Sequence, residues 1–189
     1  MVVRRDNSEA VQLLATALNR GGLGIAPCDT IYGILGAVPA SEAKIRDLKG
    51  RDERKPFLVL EASAEAVIQA SETKIPEMLL SLWPGPLTLV VKTRNRTTGY
   101  RIPDDSFLTA VIQQTGSLYS TSVNIAGTPD LWEIDEIINR FKHKVDIIVN
   151  GGDLEGRLSS TVIDISVVPY VILREGAGVL PEEIRRKCR

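Results

Sequence analysis

Two sets of side chains in this sequence are suited to binding an anion. The first set is a run of cationic residues. Lys49, Arg51 and Lys55 belong to a run of four cations within seven residues. Arginine offers a planar fork to a carboxylate or phosphate, and lysine offers a point charge. Gly50 and Pro56 disfavour a continuous helix, so we expect the run on a bent segment. Taken alone, a charge run is more often a solvated surface, and that alternative stays open here.

The second set consists of mostly uncharged polar residues, with one arginine, at the ends of predicted strands. Ser122 and Asn124 leave a strand in a run of hydroxyls and one amide, which forms a good hydrogen-bonding cluster. Thr30 and Tyr32 follow an earlier strand, and Arg174 follows a later one. Binding groups in α/β proteins commonly occupy such loops. The alternatives are turn capping for Thr30 and an ordinary surface ion pair for Arg174.

A local excess of positive charge lies between residues 92 and 103, where no acidic residue occurs. Lys92, Arg94, Arg96 and Arg101 therefore predict a basic surface. The formal net charge of the chain is −1 and only 5% of its residues are aromatic. A protein that coats nucleic acid normally carries a large basic excess and aromatic stacking platforms. An RNA-binding module is thus the weaker alternative.

Several familiar kinds of site are missing from the sequence. There is no phosphate-binding Gly-x-x-x-x-Gly-Lys-Ser/Thr loop and no dinucleotide fingerprint. The single histidine, His143, lies in a charged run, which excludes a Ser-His-Asp triad and a multi-histidine metal site. Cys28 and Cys188 lie far apart and predict reduced thiols rather than a zinc site. No apolar run reaches the ~18 residues of a membrane span, so we expect a soluble, cytoplasmic protein.

The elements that must position these residues alternate along the 189 residues. Helical periodicity predicts helices over 8–20, 41–48, 62–70, 76–82, 107–114, 134–141 and 181–187. Apolar and β-branched runs predict strands over 23–26, 57–60, 87–91, 117–120, 145–149, 161–165 and 170–173. Interleaved strands and helices predict a single layered domain over residues 1–189, of the α/β class or, in some schemes, α+β.

Taken together and in this order, the motifs resemble the YrdC-like threonylcarbamoyl-AMP synthases. The resemblance extends from residue 8 to residue 180. It rests on eight motifs, which are Pro27–Gly33, Lys49–Arg51, Lys55–Pro56, Trp83–Thr88, Arg101–Pro103, Ser120–Asn124, Ser160–Asp164 and Arg174–Gly176. It implies a three-layer domain, in which helices flank a twisted mixed sheet and the cleft is open and positively charged.

Three departures from the family pattern qualify this resemblance. Cys28 replaces the usual threonine, which affects the expected substrate contacts, and Ser159 replaces a common proline. The chain resembles the short family members, which lack a second domain. A YciO-like branch shares most of these motifs, and the separate stretch Val145–Gly152 also resembles it. That branch remains an alternative without synthase activity. Asn124 favours the synthase branch.

The resemblance implies an enzyme of the nucleotidyltransferase class. L-Threonine, bicarbonate and ATP would give threonylcarbamoyl-AMP and pyrophosphate, and Mg²⁺ would accompany ATP on its phosphates and water. We expect no dedicated protein metal site. The product would pass to tRNA-modification partner proteins, and direct contact with tRNA is left open.

The resemblance also implies roles for particular residues. Lys49 and Arg51 are the expected catalytic residues. The expected binding residues are Lys55 for phosphate and carboxylate, Ser122 and Asn124 for the nucleotide or carbamate, Arg174 for phosphate or ribose, and Thr30 and Tyr32 for the threonine pocket. Cys28 is expected to be a wall of that pocket and not a nucleophile, because no histidine lies near it in the sequence.

Overall fold

The computed structural model describes residues 1–50, 57–124 and 128–189. The strands are β1 (Val2–Arg4), β2 (Leu23–Pro27), β3 (Tyr32–Ala37), β4 (Leu58–Leu60), β5 (Leu87–Lys92), β6 (Thr97–Arg101), β7 (Leu118–Ser122), β8 (Ile147–Asn150), β9 (Thr161–Asp164) and β10 (Val171–Arg174). The helices are α1 (Ala10–Asn19), α2 (Glu42–Lys49), α3 (Ala64–Ala70), α4 (Glu77–Leu80), α5 (Ser106–Thr115), α6 (Ile134–Phe141) and α7 (Glu182–Arg185). Over these ranges no helix has the length and apolar character that crossing a membrane requires.

The ten strands form one mixed sheet in the order β1-β8-β2-β3-β7-β4-β6-β5-β9-β10. Parallel pairs join β1 to β8, β2 to β8, β4 to β6 and β5 to β9. The remaining neighbours are antiparallel. Consecutive strands are therefore often separated in the sheet, and β7 inserts between β3 and β4. Segments that are distant in the sequence therefore lie side by side in the sheet.

Side chains on the two faces of the sheet pack into two separate hydrophobic cores. One core lies under α1 and α5 and includes Leu14 and Val111, with Leu35 and Leu60 contributed by the strands. The other includes side chains from α2, α3, α4, α6 and α7. Since successive strand residues point to opposite faces, two apolar sides need two helical layers. The predicted three-layer α/β fold with a flanked mixed sheet is confirmed.

The predicted elements agree with the structure except at three strands. No strand was predicted at β1, β3 or β6, and the helices begin and end within about three residues of the predicted bounds. Glycines at positions 33, 36 and 99 interrupt the apolar patterns of β3 and β6, which is why pattern reasoning missed these strands. α2 continues to Lys49 and ends at Gly50, whose φ of 57° is left-handed.

Candidate functional site

A cavity of about 440 Å³ opens over the middle of the sheet. Its floor is formed by β4, β5, β6 and β7, where Leu58 lies opposite both Gly99 and Ser120 and Gly99 lies opposite Val90. Leu58 points to the same face as Leu60, which belongs to the core under α1 and α5. The cavity therefore lies on that face, beside the two helices.

Four of the predicted site residues line this cavity, although they come from distant parts of the chain. Thr30 and Tyr32 approach from the β2–β3 turn and β3, Ser122 from the end of β7, and Arg174 from the end of β10. Their convergence was expected from their positions at strand ends. Arg51 and Lys55 were also predicted for the site, and both lie outside the described residues.

Lys49 and Asn124 lie next to Ser122 but are not among the described residues that line the cavity. The Lys49 Nζ donates to the carbonyl oxygens of Ser122 and Asn124, both at 2.8 Å, and to the Asn124 Oδ1. The Ser122 hydroxyl donates to the same Oδ1 at 3.1 Å, and the Asn124 amide donates to the Thr128 carbonyl at 2.6 Å. Through these hydrogen bonds, the buried ammonium of Lys49 holds the turn that follows β7.

Arg101 lines the cavity and was not among the predicted site residues. It is buried, and its Nη1 donates to the Thr30 hydroxyl oxygen at 2.8 Å. Its Nη2 lies 3.2 Å from the Asp29 Oδ1. The prediction of one continuous basic surface over residues 92–103 is therefore wrong at Arg101, because β6 carries this side chain into the interior. Lys92, Arg94 and Arg96 are exposed on the preceding strand and turn.

Arg174 brings a second guanidinium to the cavity. Its Nε donates to the Ser160 carbonyl at 2.9 Å and its Nη2 to the Ser160 hydroxyl at 3.1 Å. Burial lowers the pKa of Arg174; the positive charge of Arg101 acts in the same direction, and Asp130 opposes both. The predicted alternative of a pair between Arg174 and its neighbour is wrong, because Glu175 pairs with Arg185 at 2.7 Å.

Tyr32 joins β3 to the loop after β8. Its hydroxyl donates to the Gly152 carbonyl at 2.7 Å and accepts from the Gly151 amide at 3.0 Å. The adjacent Gly33 is tightly packed, since a Cβ there would lie 3.0 Å from the Ser120 Oγ and 3.3 Å from the Cys28 Sγ. The Tyr32 ring is fully buried in the core that includes side chains of α2 and α6, and its hydroxyl is engaged in the scaffold. Tyr32 thus borders the cavity as part of β3, with its side chain in the interior.

Cys28 lies in the cavity wall as a buried, free thiol. Burial raises the pKa of Cys28 to about 12, and this outweighs the opposing effect of the Arg101 charge. The thiol is consequently neutral at physiological pH. A neutral thiol is a poor nucleophile, which agrees with its predicted role as a pocket wall.

The lining of the cavity favours anions. Arg101 and Arg174 are its charged members, and no aspartate or glutamate is found among the described lining residues. Hydroxyls from Thr30, Thr88 and Ser122 add neutral donors and acceptors. Two guanidinium groups beside several hydroxyls can bind a carboxylate or a phosphate and stabilise charge that develops on oxygen.

Two further observations limit the chemistry of the site. In the part of the chain that the structure describes, no three His, Cys, Asp or Glu side chains are grouped as metal ligands. His143 is exposed just after α6, as its charged surroundings predicted. The described cavity thus offers positioning and charge stabilisation, without an imidazole base.

Comparison with known proteins gives a consistent result. The model of the Sua5/YciO/YrdC family, described as "Telomere recombination", matches residues 16–176. A Mus musculus protein named threonylcarbamoyl-AMP synthase is 31% identical over 91% of this chain and 69% of its own length. The structure of P. abyssi Sua5 complexed with L-threonine superposes with a TM-score of 0.85 at 28% identity, covering 99% of this chain and 60% of that one.

The E. coli YciO structure also shares the fold. Its TM-score is 0.84 at 22% identity, and the match covers 95% of this chain and 96% of that one. The family match includes all the described residues that line the cavity, from Cys28 to Arg174. The chain belongs to the Sua5/YciO/YrdC family.

Proposed function

We propose that this protein is a threonylcarbamoyl-AMP synthase, a nucleotidyltransferase that forms threonylcarbamoyl-AMP and pyrophosphate from L-threonine, bicarbonate and ATP. The observation that carries the proposal is a cavity with two arginines and no described acidic lining residue, in a chain of this family. The names of the relatives and the L-threonine complex of P. abyssi Sua5 support the choice of substrates.

All the proposed substrates carry anionic groups, and the cavity is suited to them. The polyphosphate, the threonine carboxylate and the carbamate present oxygens that guanidinium groups bind well. Arg101 and Arg174 enter from different strands, so they can contact separate anionic groups. Further cations come from the last residue of α2, Lys49, and from Arg51 and Lys55, which follow α2 in the sequence. Together they would hold negative charges that otherwise repel one another.

The reaction itself requires positioning more than acid–base chemistry. The threonine amine and bicarbonate condense to a carbamate and water. A carbamate oxygen then forms a bond to the α-phosphorus, and the bond from that phosphorus to the bridging oxygen of pyrophosphate breaks. Phosphoryl-type transfers of this kind depend on alignment and charge stabilisation. A neutral Cys28 and an exposed His143 fit a route without a covalent enzyme intermediate.

The contacts in the cavity suggest roles for the neutral residues. The Thr30 hydroxyl accepts from Arg101, which leaves its own proton for a substrate oxygen. Tyr32 would border the threonine pocket from β3, with its buried side chain supporting that wall from the core. Ser122 and Asn124 would meet the nucleotide or the carbamate at the end of β7, on the turn that Lys49 holds.

Mg²⁺ would enter with ATP in this scheme. The described residues contain no carboxylate cluster that fits a protein-held ion. Magnesium retains much of its water and is often held by substrate phosphates. We therefore expect the ion to neutralise phosphate charge without a dedicated ligand set. The product, a mixed anhydride, would pass to partner proteins that modify tRNA, in the cytoplasm.

Pyrophosphate release tests this proposal. The assay contains ATP, Mg²⁺, L-threonine and bicarbonate, and each of the last two is omitted in turn. We expect release to depend on both, and to fall strongly when serine replaces threonine. Release that is unchanged without threonine would exclude the synthase activity. Release with serine equal to that with threonine would leave the enzyme class but remove threonine as the preferred substrate.

A further inference from the structure

Asp29 is a buried carboxylate beside the cavity; it lies within the Pro27–Gly33 motif, but the proposed chemistry gives it no role. Its side chain is 8% exposed and that of its partner Arg101 is 4% exposed. Arg101 lines the cavity, whereas Asp29 is not among the described lining residues. Asp29 therefore lies where it can act on a substrate only through another residue.

The contact between the two groups is incomplete. The Arg101 Nη2 lies 3.2 Å from the Asp29 Oδ1, but the geometry is not that of a hydrogen bond. Within the described ranges, the Asp29 Oδ1 and the Arg101 Nε are both buried without a hydrogen-bond partner. The second oxygen of Asp29 accepts from the Asp104 amide at 3.3 Å. The carboxylate is thus attached to the backbone and holds Arg101 mainly by charge.

A second contact fixes the same guanidinium. Arg101 Nη1 donates to the Thr30 hydroxyl oxygen at 2.8 Å. Thr30 directly follows Asp29, so one turn provides both restraints on the guanidinium. A guanidinium carries five N–H groups, and these two contacts leave others for a ligand. The positive charges of Arg174 and Arg101 repel each other across the cavity. A fixed negative charge beside Arg101 offsets this repulsion.

We propose that Asp29 is a positioning residue for Arg101, holding its guanidinium against the cavity wall so that it can bind an anionic oxygen of the substrate. The anionic oxygen belongs to a carboxylate or a phosphate, since both match the guanidinium fork. This inference rests on the proposed function for the identity of the ligands. The buried ion pair itself does not depend on that function.

Calorimetric titration of the full chain with ATP and, separately, with L-threonine tests the inference. The proteins compared are the wild type, Asp29→Asn, Arg101→Ala, the double variant of both changes, and Asp104→Asn. Asp104 is an exposed carboxylate three residues after Arg101 and is the matched control. A readout of binding separates positioning from a general loss of stability, provided that each variant is shown to be folded by circular dichroism.

We expect Asp29→Asn to weaken binding of at least one of the two ligands by about 10- to 100-fold, as a misplaced binding group can cost that much. The same change should have no further effect in the Arg101→Ala background, because Asp29 acts through Arg101. Asp104→Asn should bind both ligands like the wild type. The weakened ligand identifies the anion: ATP indicates phosphate, and L-threonine indicates carboxylate.

Two results would overturn the inference. One is wild-type affinity of Asp29→Asn for both ligands; the other is an equal loss of affinity in the presence and absence of Arg101. If Asp29→Asn does not fold, the double variant, which removes both buried charges, is compared with Arg101→Ala, and any difference in affinity between them contradicts the inference. A wild type that binds both ligands but releases no pyrophosphate would refute the proposed function and leave the Asp29 inference standing.

Discussion

Replacing Lys49 by alanine should affect both stability and turnover, and the structure gives the size of the first effect. The ammonium donates to three oxygens of the turn after β7, and the residue is 7% exposed. Hydrogen bonds to charged groups contribute about 1.5–3 kcal/mol each. The cost of burying the ammonium offsets part of their sum. We expect a net loss of about 3 kcal/mol in the free energy of unfolding, close to the value for breaking a buried charged contact.

Thermal unfolding followed by circular dichroism measures this loss. A destabilisation of about 3 kcal/mol lowers the Tm of a chain of this size by about 6–12 °C. Lys44→Ala is the matched control, since Lys44 lies on the same helix but is exposed, with a single bond to the Gly21 carbonyl at 2.6 Å. That variant should lose no more than about 0.5 kcal/mol.

Turnover of Lys49→Ala is then measured well below its Tm, where the protein is folded. We expect a fall of about 100-fold, because the substitution removes the contacts that hold the Ser122–Asn124 turn and also removes a cation near the site. A Tm within about 2 °C of the wild type would contradict the structural role of the ammonium. Turnover close to the wild type in a destabilised but folded variant would exclude Lys49 from the catalytic site and leave it as a structural residue.

The other predictions concern neighbouring parts of the molecule. Asn124→Asp should weaken ATP binding about tenfold more than Asn124→Ala in calorimetry, because it adds a negative charge in a site for anions; equal affinities would place the side chain outside the nucleotide site. Because burial raises the pKa of Cys28 to about 12, iodoacetamide at pH 8 should modify Cys188 and leave Cys28 unmodified in the native protein, as peptide mass spectrometry can determine. Cys28→Ser should retain most of the turnover, and a loss as large as that of Lys49→Ala would reveal a chemical role for the thiol. The hydrogen bond from Arg46 lowers the pKa of Glu42 below its usual value, so this contact stabilises the protein at neutral pH and the stabilisation is lost as the pH falls through the folded-state pKa. Glu42→Gln should therefore lower the Tm more at pH 7 than in acid below the folded-state pKa, and an equal effect at both would refute the electrostatic explanation.

Much of the fold could be predicted from the sequence because most elements have a clear apolar period. α6 was predicted with its observed bounds, since its apolar residues follow helical spacing. β3 and β6 were missed for a physical reason. Glycines interrupt both segments, and their extended backbones are stabilised by neighbouring strands on each side. Such stabilisation comes from tertiary pairing, which local propensity does not contain.

The candidate site was predictable where strand ends determine position. Thr30, Tyr32, Ser122 and Arg174 each lie at or beside the end of a strand, and the topology brings those ends to one cavity. Whether a charged residue is buried could not be determined in the same way. Arg101 belongs to a basic stretch, and only the missed strand β6 carries it inward.

The residues that contact the buried cations Arg101 and Lys49 could not be predicted from the sequence either. Asp29 is separated by 72 residues from Arg101, and Lys49 by 75 residues from Asn124. Neither pair has a sequence spacing that favours contact. Asp29 lies in the turn before β3, and its carboxylate pairs with an arginine that is distant in sequence. The motifs in the sequence pointed to the family, and the structure supplied the contacts that these motifs make.

The most direct test of the proposed activity is the identity of the product. The purified protein is incubated with ATP, Mg²⁺, L-threonine and carbon-13-labelled bicarbonate, and the nucleotides are separated and analysed by mass spectrometry. We predict threonylcarbamoyl-AMP whose mass rises by one unit with labelled bicarbonate, and whose formation is abolished without threonine. Formation of AMP and pyrophosphate without any product that carries the bicarbonate carbon would contradict the proposed function.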